Sequence, residues 1–135
     1  EAIKRDAQAE YFFQRGQVSL TLADGAAAAR TDFTAALLKQ PRADISGYRG
    51  LAAFLLSDFS TAIEDYGTAI NAGETEATPE ELASWYNGRG LAHLRGENTQ
   101  AALADFNEAL RHQPSNSKII ENRAVAHARL GGGNR

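Results

Sequence analysis

Along most of the chain, apolar residues return every three or four positions, the spacing of one face of a helix. Ala62, Ile63, Tyr66, Ala69 and Ile70 form one such stripe, and Ala102, Leu103, Phe106, Ala109 and Leu110 form another. Short polar turns separate the stripes at Ala23-Asp24-Gly25, Ser57-Asp58 and Gly96-Glu97-Asn98. Asp and Asn there are expected to cap the helix that follows, since a short side-chain oxygen accepts from the free N–H groups of the first turn. Pro41 and Pro114 read as stops after the helices before them. The pattern predicts helices in pairs.

The pairs repeat. Arg15-Gly16, Arg49-Gly50 and Arg89-Gly90 are followed by Asp32-Phe33, Asp65-Tyr66 and Asp105-Phe106, each between two alanines, and Arg123-Ala124 begins a fourth series. Gly16 and Gly50 stand 34 positions apart, as do Gly90 and Ala124, whereas Gly50 and Gly90 stand 40 apart. The first repeat is one residue longer from glycine to aromatic, which places an extra residue near Asp24-Gly25. The six-residue insertion carries Thr78-Pro79-Glu80-Glu81, a capping box with Pro at the first helical position. Residues 77–82 are therefore expected to extend a helix backwards. The units fall at about 9–42, 43–76 and 83–116, with a last helix at about 117–130.

This register resembles the tetratricopeptide repeat family, in Gly16/Gly50/Gly90, Ala29/Ala62/Ala102, Phe33/Tyr66/Phe106, Ala36/Ala69/Ala109 and Pro41/Pro114. The resemblance covers roughly residues 9–131, with departures at Ser46, where an aromatic is usual, and at Glu74, where Pro is usual. It implies an all-α, right-handed superhelical solenoid: three antiparallel helix pairs and one terminal helix. A glycine costs a helix about 1 kcal/mol, so one is kept where a side chain would clash. The aromatic would fill the gap between hairpins. One hairpin cannot bury its apolar face alone, so stacking supplies the core.

In the family a final single helix has a polar outer face. Here Ile119, Ile120, Val125 and Leu130 are apolar and Arg123 repeats the earlier arginines, as at the start of a further repeat. That end is a candidate surface for homo-oligomer formation. Gly131-Gly132-Gly133-Asn134-Arg135 reads as a frayed end. The recurring charges Arg15, Arg49, Arg89 and Arg123 with Asp32, Asp65 and Asp105 are expected to form structural ion pairs between helices. Pairing within a repeat leaves Arg123 without an acid. Pairing to the next repeat leaves Arg15 without one. Spacing alone permits both.

The resemblance also implies where a partner would lie, since first helices line the concave face. Residues three before, one after and four after the small residue share a helical face. They are Phe13, Gln17 and Leu20; Gly47, Leu51 and Phe54; Asn87, Leu91 and Leu94; Glu121, Val125 and Ala128. Apolar bulk with a few polar groups suits an extended or helical peptide. Several of these residues could equally be core. Some members of the family clamp a chaperone tail's carboxylate with Lys, Asn and Arg. The matching positions here are Phe13, Gln17, Tyr48, Ser84 and Gly88, and a shifted frame recovers only Lys118, so no clamp is expected. Trp85, the single tryptophan, either packs on the second repeat's last helix or offers a contact to a partner.

Catalytic signals are missing. His93, His112 and His127 stand apart, outside any ligand-spaced cluster, and read as packed or hydrogen-bonded residues. Gly131-Gly132-Gly133 lacks the Lys-Ser/Thr of a phosphate loop. Glu80-Glu81 suits a helix N-terminus. No nucleophile and base are spaced for catalysis, and no enzyme activity, metal or cofactor is expected. The net charge of −3 argues against a nucleic-acid partner. No apolar run approaches the roughly 20 residues that cross a bilayer, so a soluble protein without membrane insertion is expected. With no cysteine, disulfides and thiolate chemistry are excluded, while cytoplasm and periplasm both stay open. The start at Glu1 in a chain without Met reads as a trimmed end. Lysine occurs only at Lys4, Lys39 and Lys118 while arginine and alanine abound, the composition of a GC-rich bacterial source. Three functions follow: an interaction scaffold holding a protein or peptide in a groove, a regulatory or targeting domain of a larger enzyme, and a self-associating assembly unit.

Overall fold

The computed structural model describes residues 2–132. Seven helices follow one another: α1 (Ala2–Leu20), α2 (Ala26–Lys39), α3 (Ala43–Leu55), α4 (Phe59–Gly73), α5 (Pro79–Arg95), α6 (Thr99–His112) and α7 (Ser117–Gly132). Among the described residues there is no strand. The closest packing is within the hairpins α1/α2, α3/α4 and α5/α6, and each hairpin stacks on the next through its neighbouring helix. The first helices also touch in series, α1 to α3 to α5 to α7. α1 begins well before position 9, and Gly131 and Gly132 continue α7 rather than fray from it. Gly133, Asn134 and Arg135 lie outside the described residues, as does Glu1.

Two of the hairpin turns share one construction. Ser57 and Glu97 adopt left-handed backbone (φ 60° and 67°) just past the first helix. Asp58 N–H then returns to the Ala53 carbonyl and Asn98 N–H to that of His93, each at 2.8 Å, which closes a Schellman motif. The same Asp58 and Asn98 cap the next helix by accepting from the N–H groups of Thr61 and Ala101. The first hairpin differs. Asp24 does not cap α2: Gly25 is its N-cap, without a side-chain hydrogen bond. A side chain at Gly25 would collide with the Ser19 carbonyl, so a glycine closes this longer turn. The insertion behaves as a helical extension. Thr78 and Glu81 form the reciprocal capping box, at 3.1 and 3.0 Å, and α5 starts at Pro79.

Within each hairpin the same four residues meet. A Cβ added to Gly16 would lie 2.6 Å from Cε1 of Phe33, and one added to Gly90 would lie 2.6 Å from Cε1 of Phe106. At Gly50 the nearest Tyr66 ring atom would be 3.2 Å away. At Gly16 and Gly90 the glycine is thus required by an aromatic ring lying on it, rather than by backbone meeting backbone, while Gly50 leaves slightly more room. Beside each ring, Nε and Nη2 of an arginine grip both carboxylate oxygens of an aspartate. Arg15 holds Asp32 at 2.9 and 2.8 Å, Arg49 holds Asp65 at 3.0 and 2.9 Å, and Arg89 holds Asp105 at 2.9 and 2.8 Å. The aspartates are only 5–6% exposed. Pairing is therefore within the repeat. Among the described residues Arg123 forms no ion pair, and its Nη1 donates to Asn107 Oδ1 at 3.2 Å.

The histidines divide. His112 stacks on Tyr86 with ring centroids 5.9 Å apart. His93 is half-buried, 3.9 Å from Asp105, and burial lowers its pKa. His127, expected to pack, is exposed.

Gly90→Ala should destabilise the chain by about 1–3 kcal/mol, because Phe106 is fully buried and cannot yield. Gly50→Ala, with more room, should be nearly neutral, as a gain in helix propensity of up to about 1 kcal/mol offsets the tighter contact. Urea unfolding of both variants tests this; equal losses would contradict it.

Candidate functional site

A cleft of about 470 Å³ lies between α3 and α5, the first helices of the second and third repeats. Its floor follows from missing side chains. The Tyr66 ring passes beneath Gly50 and reaches Gly88, where a Cβ would strike the phenol carbon. Trp85 lies across the junction of the two repeats. Its indole nitrogen sits against Gly47, and the far end of its six-membered ring sits against Gly73 at the end of α4. Trp85 therefore packs on the second repeat's last helix and lines the cleft as well.

Tyr48, Leu51 and Phe54 of α3 and Ser84, Asn87 and Leu91 of α5 form the walls. Asp44, Glu80 and Glu81 stand where both helices begin. Leu51 is 36% exposed, a large apolar side chain left open at the surface. Two polar groups on the floor, the Trp85 indole N–H and the Tyr66 hydroxyl, make no hydrogen bond to a described residue, and neither is sealed from solvent. Burial pushes the Tyr66 phenol pKa up, so it stays neutral at physiological pH and can donate. Asn87, which lines the cleft, accepts from Asn122 at 3.0 Å through Oδ1, and its amide N–H groups have no partner among the described residues.

The charged rim is unevenly satisfied. Arg42 grips Asp44 at 3.1 and 2.7 Å and holds Glu10 at 2.8 Å. Glu81 is half-occupied by the capping box, and Glu80 is exposed without a partner among the described residues. No lysine or arginine lines the cleft itself. At the opposite end the Arg95 guanidinium lies 5.5 Å above the Phe54 ring.

Of the residues expected to face a partner, the structure brings Gly47, Leu51, Phe54, Asn87 and Leu91 together in this cleft. Phe13 and Leu94, each 6% exposed, belong to the core instead. Phe13 packs between Phe33 and Tyr48, with centroids 6.0 and 5.4 Å away. Leu20 leans on the same core, and Gln17 is half-buried outside the cleft. Glu121, Val125 and Ala128 lie exposed on α7, away from it. Sequence reasoning overlooked Asp44 and named Tyr48, Ser84 and Gly88 only as positions that fail to match a carboxylate clamp. They lie six and two positions before the glycine, on the same helical face as the positions chosen. Among the described residues, no three His, Asp or Glu side chains gather to hold a metal ion, and no helix is long and apolar enough to cross a membrane.

A family model described as tetratricopeptide repeat matches residues 13–80 and 83–131. A comparison with curated protein sequences finds no match. Among solved structures, the first repeat domain of Spaghetti (RPAP3), bound to the HSP90 peptide SRMEEVD, is similar over 93% of this chain and 95% of that one, at 18% identity and a TM-score of 0.84. The Arabidopsis OM64 repeat domain is similar over 90% and 96%, at 20% identity and 0.82. The second repeat domain of human RPAP3, in complex with the HSP70 peptide SGPTIEEVD, is similar over 94% and 98%, at 16% identity and 0.79. At these identities the likeness is one of fold.

Gly47→Ala should displace the indole that lies against it, because the new methyl would occupy the position of the ring nitrogen. The emission of the sole tryptophan should move to longer wavelength, with a stability loss of about 1–3 kcal/mol. An unchanged spectrum would contradict the packing.

Proposed function

The chain belongs to the tetratricopeptide repeat family, and from that we propose that it is a protein-interaction module that holds a segment of a partner protein in the cleft between α3 and α5. One observation carries this reading: an apolar cleft in which large side chains stand open beside polar groups without partners. Apolar walls supply affinity by leaving water. The indole N–H, the Tyr66 hydroxyl and the Asn87 amide supply hydrogen bonds at fixed points. Partner main chain, which carries an acceptor at every residue, fits that arrangement. The solved neighbours that hold chaperone peptides support peptide binding by this fold.

The recognition chemistry differs from that of an acidic tail. The positions a carboxylate clamp would need hold Phe13, Gln17, Tyr48, Ser84 and Gly88, and Phe13 is buried. The module acts by binding rather than by catalysis, with partner specificity set by Leu51, Phe54 and Leu91.

A double variant, Leu51→Asp/Leu91→Asp, tests the reading. Both side chains face the cleft, so helical circular dichroism should be kept while recovery of a partner protein in a pull-down falls about tenfold or more. Equal recovery by wild type and variant would remove the cleft from the account.

A further inference from the structure

We propose that the cleft selects a basic segment: a peptide with an apolar anchor between Leu51 and Leu91 and a lysine or arginine beside Glu80 and Glu81. This inference rests on the cleft being the partner site and adds the chemistry of what it takes.

The argument begins with the insertion. It places Pro79 to Leu82 in the helix and so adds one turn to the start of α5, relative to α3. That turn forms the rim of the cleft and carries Glu80 and Glu81. Glu76, in the connection before it, lines the adjoining hollow together with Glu81 and Trp85. A local explanation exists for acids at a helix N-terminus, since the macrodipole welcomes them. It supplies about half a positive charge, which leaves most of two carboxylates unbalanced.

The nearby cation does not restore balance. Arg42 is consumed by Asp44 and Glu10, with all three of its donor nitrogens in hydrogen bonds of 2.7–3.1 Å. Beyond Asp44, which Arg42 neutralises, the cleft lining adds two carboxylates, Glu80 and Glu81, and no base. A bound cation near Glu80 would meet a field of one sign beside low-dielectric walls, where it is focused rather than screened. An acidic segment would meet the same field as repulsion. The far end differs, because Arg95 lies on Phe54 there. The cleft is thus polarised along its length and gives a bound segment a direction, with its basic residue toward the start of α5.

Selection from a random peptide display library, run in parallel on three forms of the chain, tests this. Wild type should enrich peptides of net positive charge that contain a large apolar residue. In Glu80→Gln/Glu81→Gln, glutamine keeps the capping box, so the helix start survives while the charge goes. This form should keep the apolar preference, lose the basic one, and bind a wild-type-selected peptide about three- to tenfold more weakly. Added salt should weaken that peptide's binding to wild type more than to the variant. Leu51→Asp should enrich nothing. Enrichment of acidic or neutral peptides on wild type, with loss on Leu51→Asp, would overturn the charge inference and leave the cleft standing. Equal output from wild type and Leu51→Asp would overturn both.

Discussion

An aromatic ring lying on a glycine, with an arginine fork closed on an aspartate at the next residue, is the contact on which the rest of the molecule depends. Arg-Gly of the first helix meets Asp-aromatic of the second at each crossing, from Arg15-Gly16 on Asp32-Phe33 to Arg89-Gly90 on Asp105-Phe106. The two halves do different things. The ring sets how closely the helices approach, because a methyl group on the glycine would occupy its space. The bidentate fork sets rotation and register, because two parallel hydrogen bonds tolerate little misalignment. A buried ion pair adds little net stability over an apolar pair, but the aspartate without its arginine would be costly. The contact therefore specifies one geometry and repeats it.

The cleft arises where this pattern is varied. Tyrosine replaces phenylalanine only in the second repeat, and its hydroxyl end reaches over Gly88. Trp85 stands at the register held by Ile45 in α3 and Ile119 in α7, facing the preceding repeat. A ring larger than isoleucine fits there because Gly47 and Gly73 carry no side chain. The insertion supplies the extra turn of α5, and Gly73, the last residue of α4, stands a few positions before it. The acids Glu80 and Glu81 on the rim thus come from the insertion, while the room for the indole comes from glycines of the second repeat.

How far the sequence could be read followed from periodicity. Helix pairing, the caps at Asp58 and Asn98, the capping box at Thr78 and the place of the extra residue in the first hairpin were all legible, because each depends on local chemistry or on a recurring spacing. Asp24 misled because its turn is two residues longer than the others, and Gly25 closes it. The Arg–Asp pairing was ambiguous because sequence spacing does not say which neighbouring helix an arginine leans toward. Phe13 and Leu94 share a helical face with Leu51 and Leu91, but differ in what covers them. Tyr48 lies over Phe13, while Leu94 closes into the core with Phe106. His127 and Arg123 copy the pattern of their counterparts, yet His127 is exposed and Arg123 donates to Asn107 rather than to an acid. The cleft floor was illegible for a related reason: it is assembled from non-repeating residues of three helices.

The central claim is that a partner segment enters the cleft and reaches its floor. Trp85 is the sole tryptophan, so its indole N–H gives one resolved signal in a nitrogen–proton correlation spectrum. Titration with a peptide selected on the wild-type chain should move that signal downfield, as the N–H gains an acceptor, along with backbone signals of α3 and α5. A stationary indole signal, with shifts confined to α2, α4 and α6, would place the partner on the other side of the molecule and contradict the account.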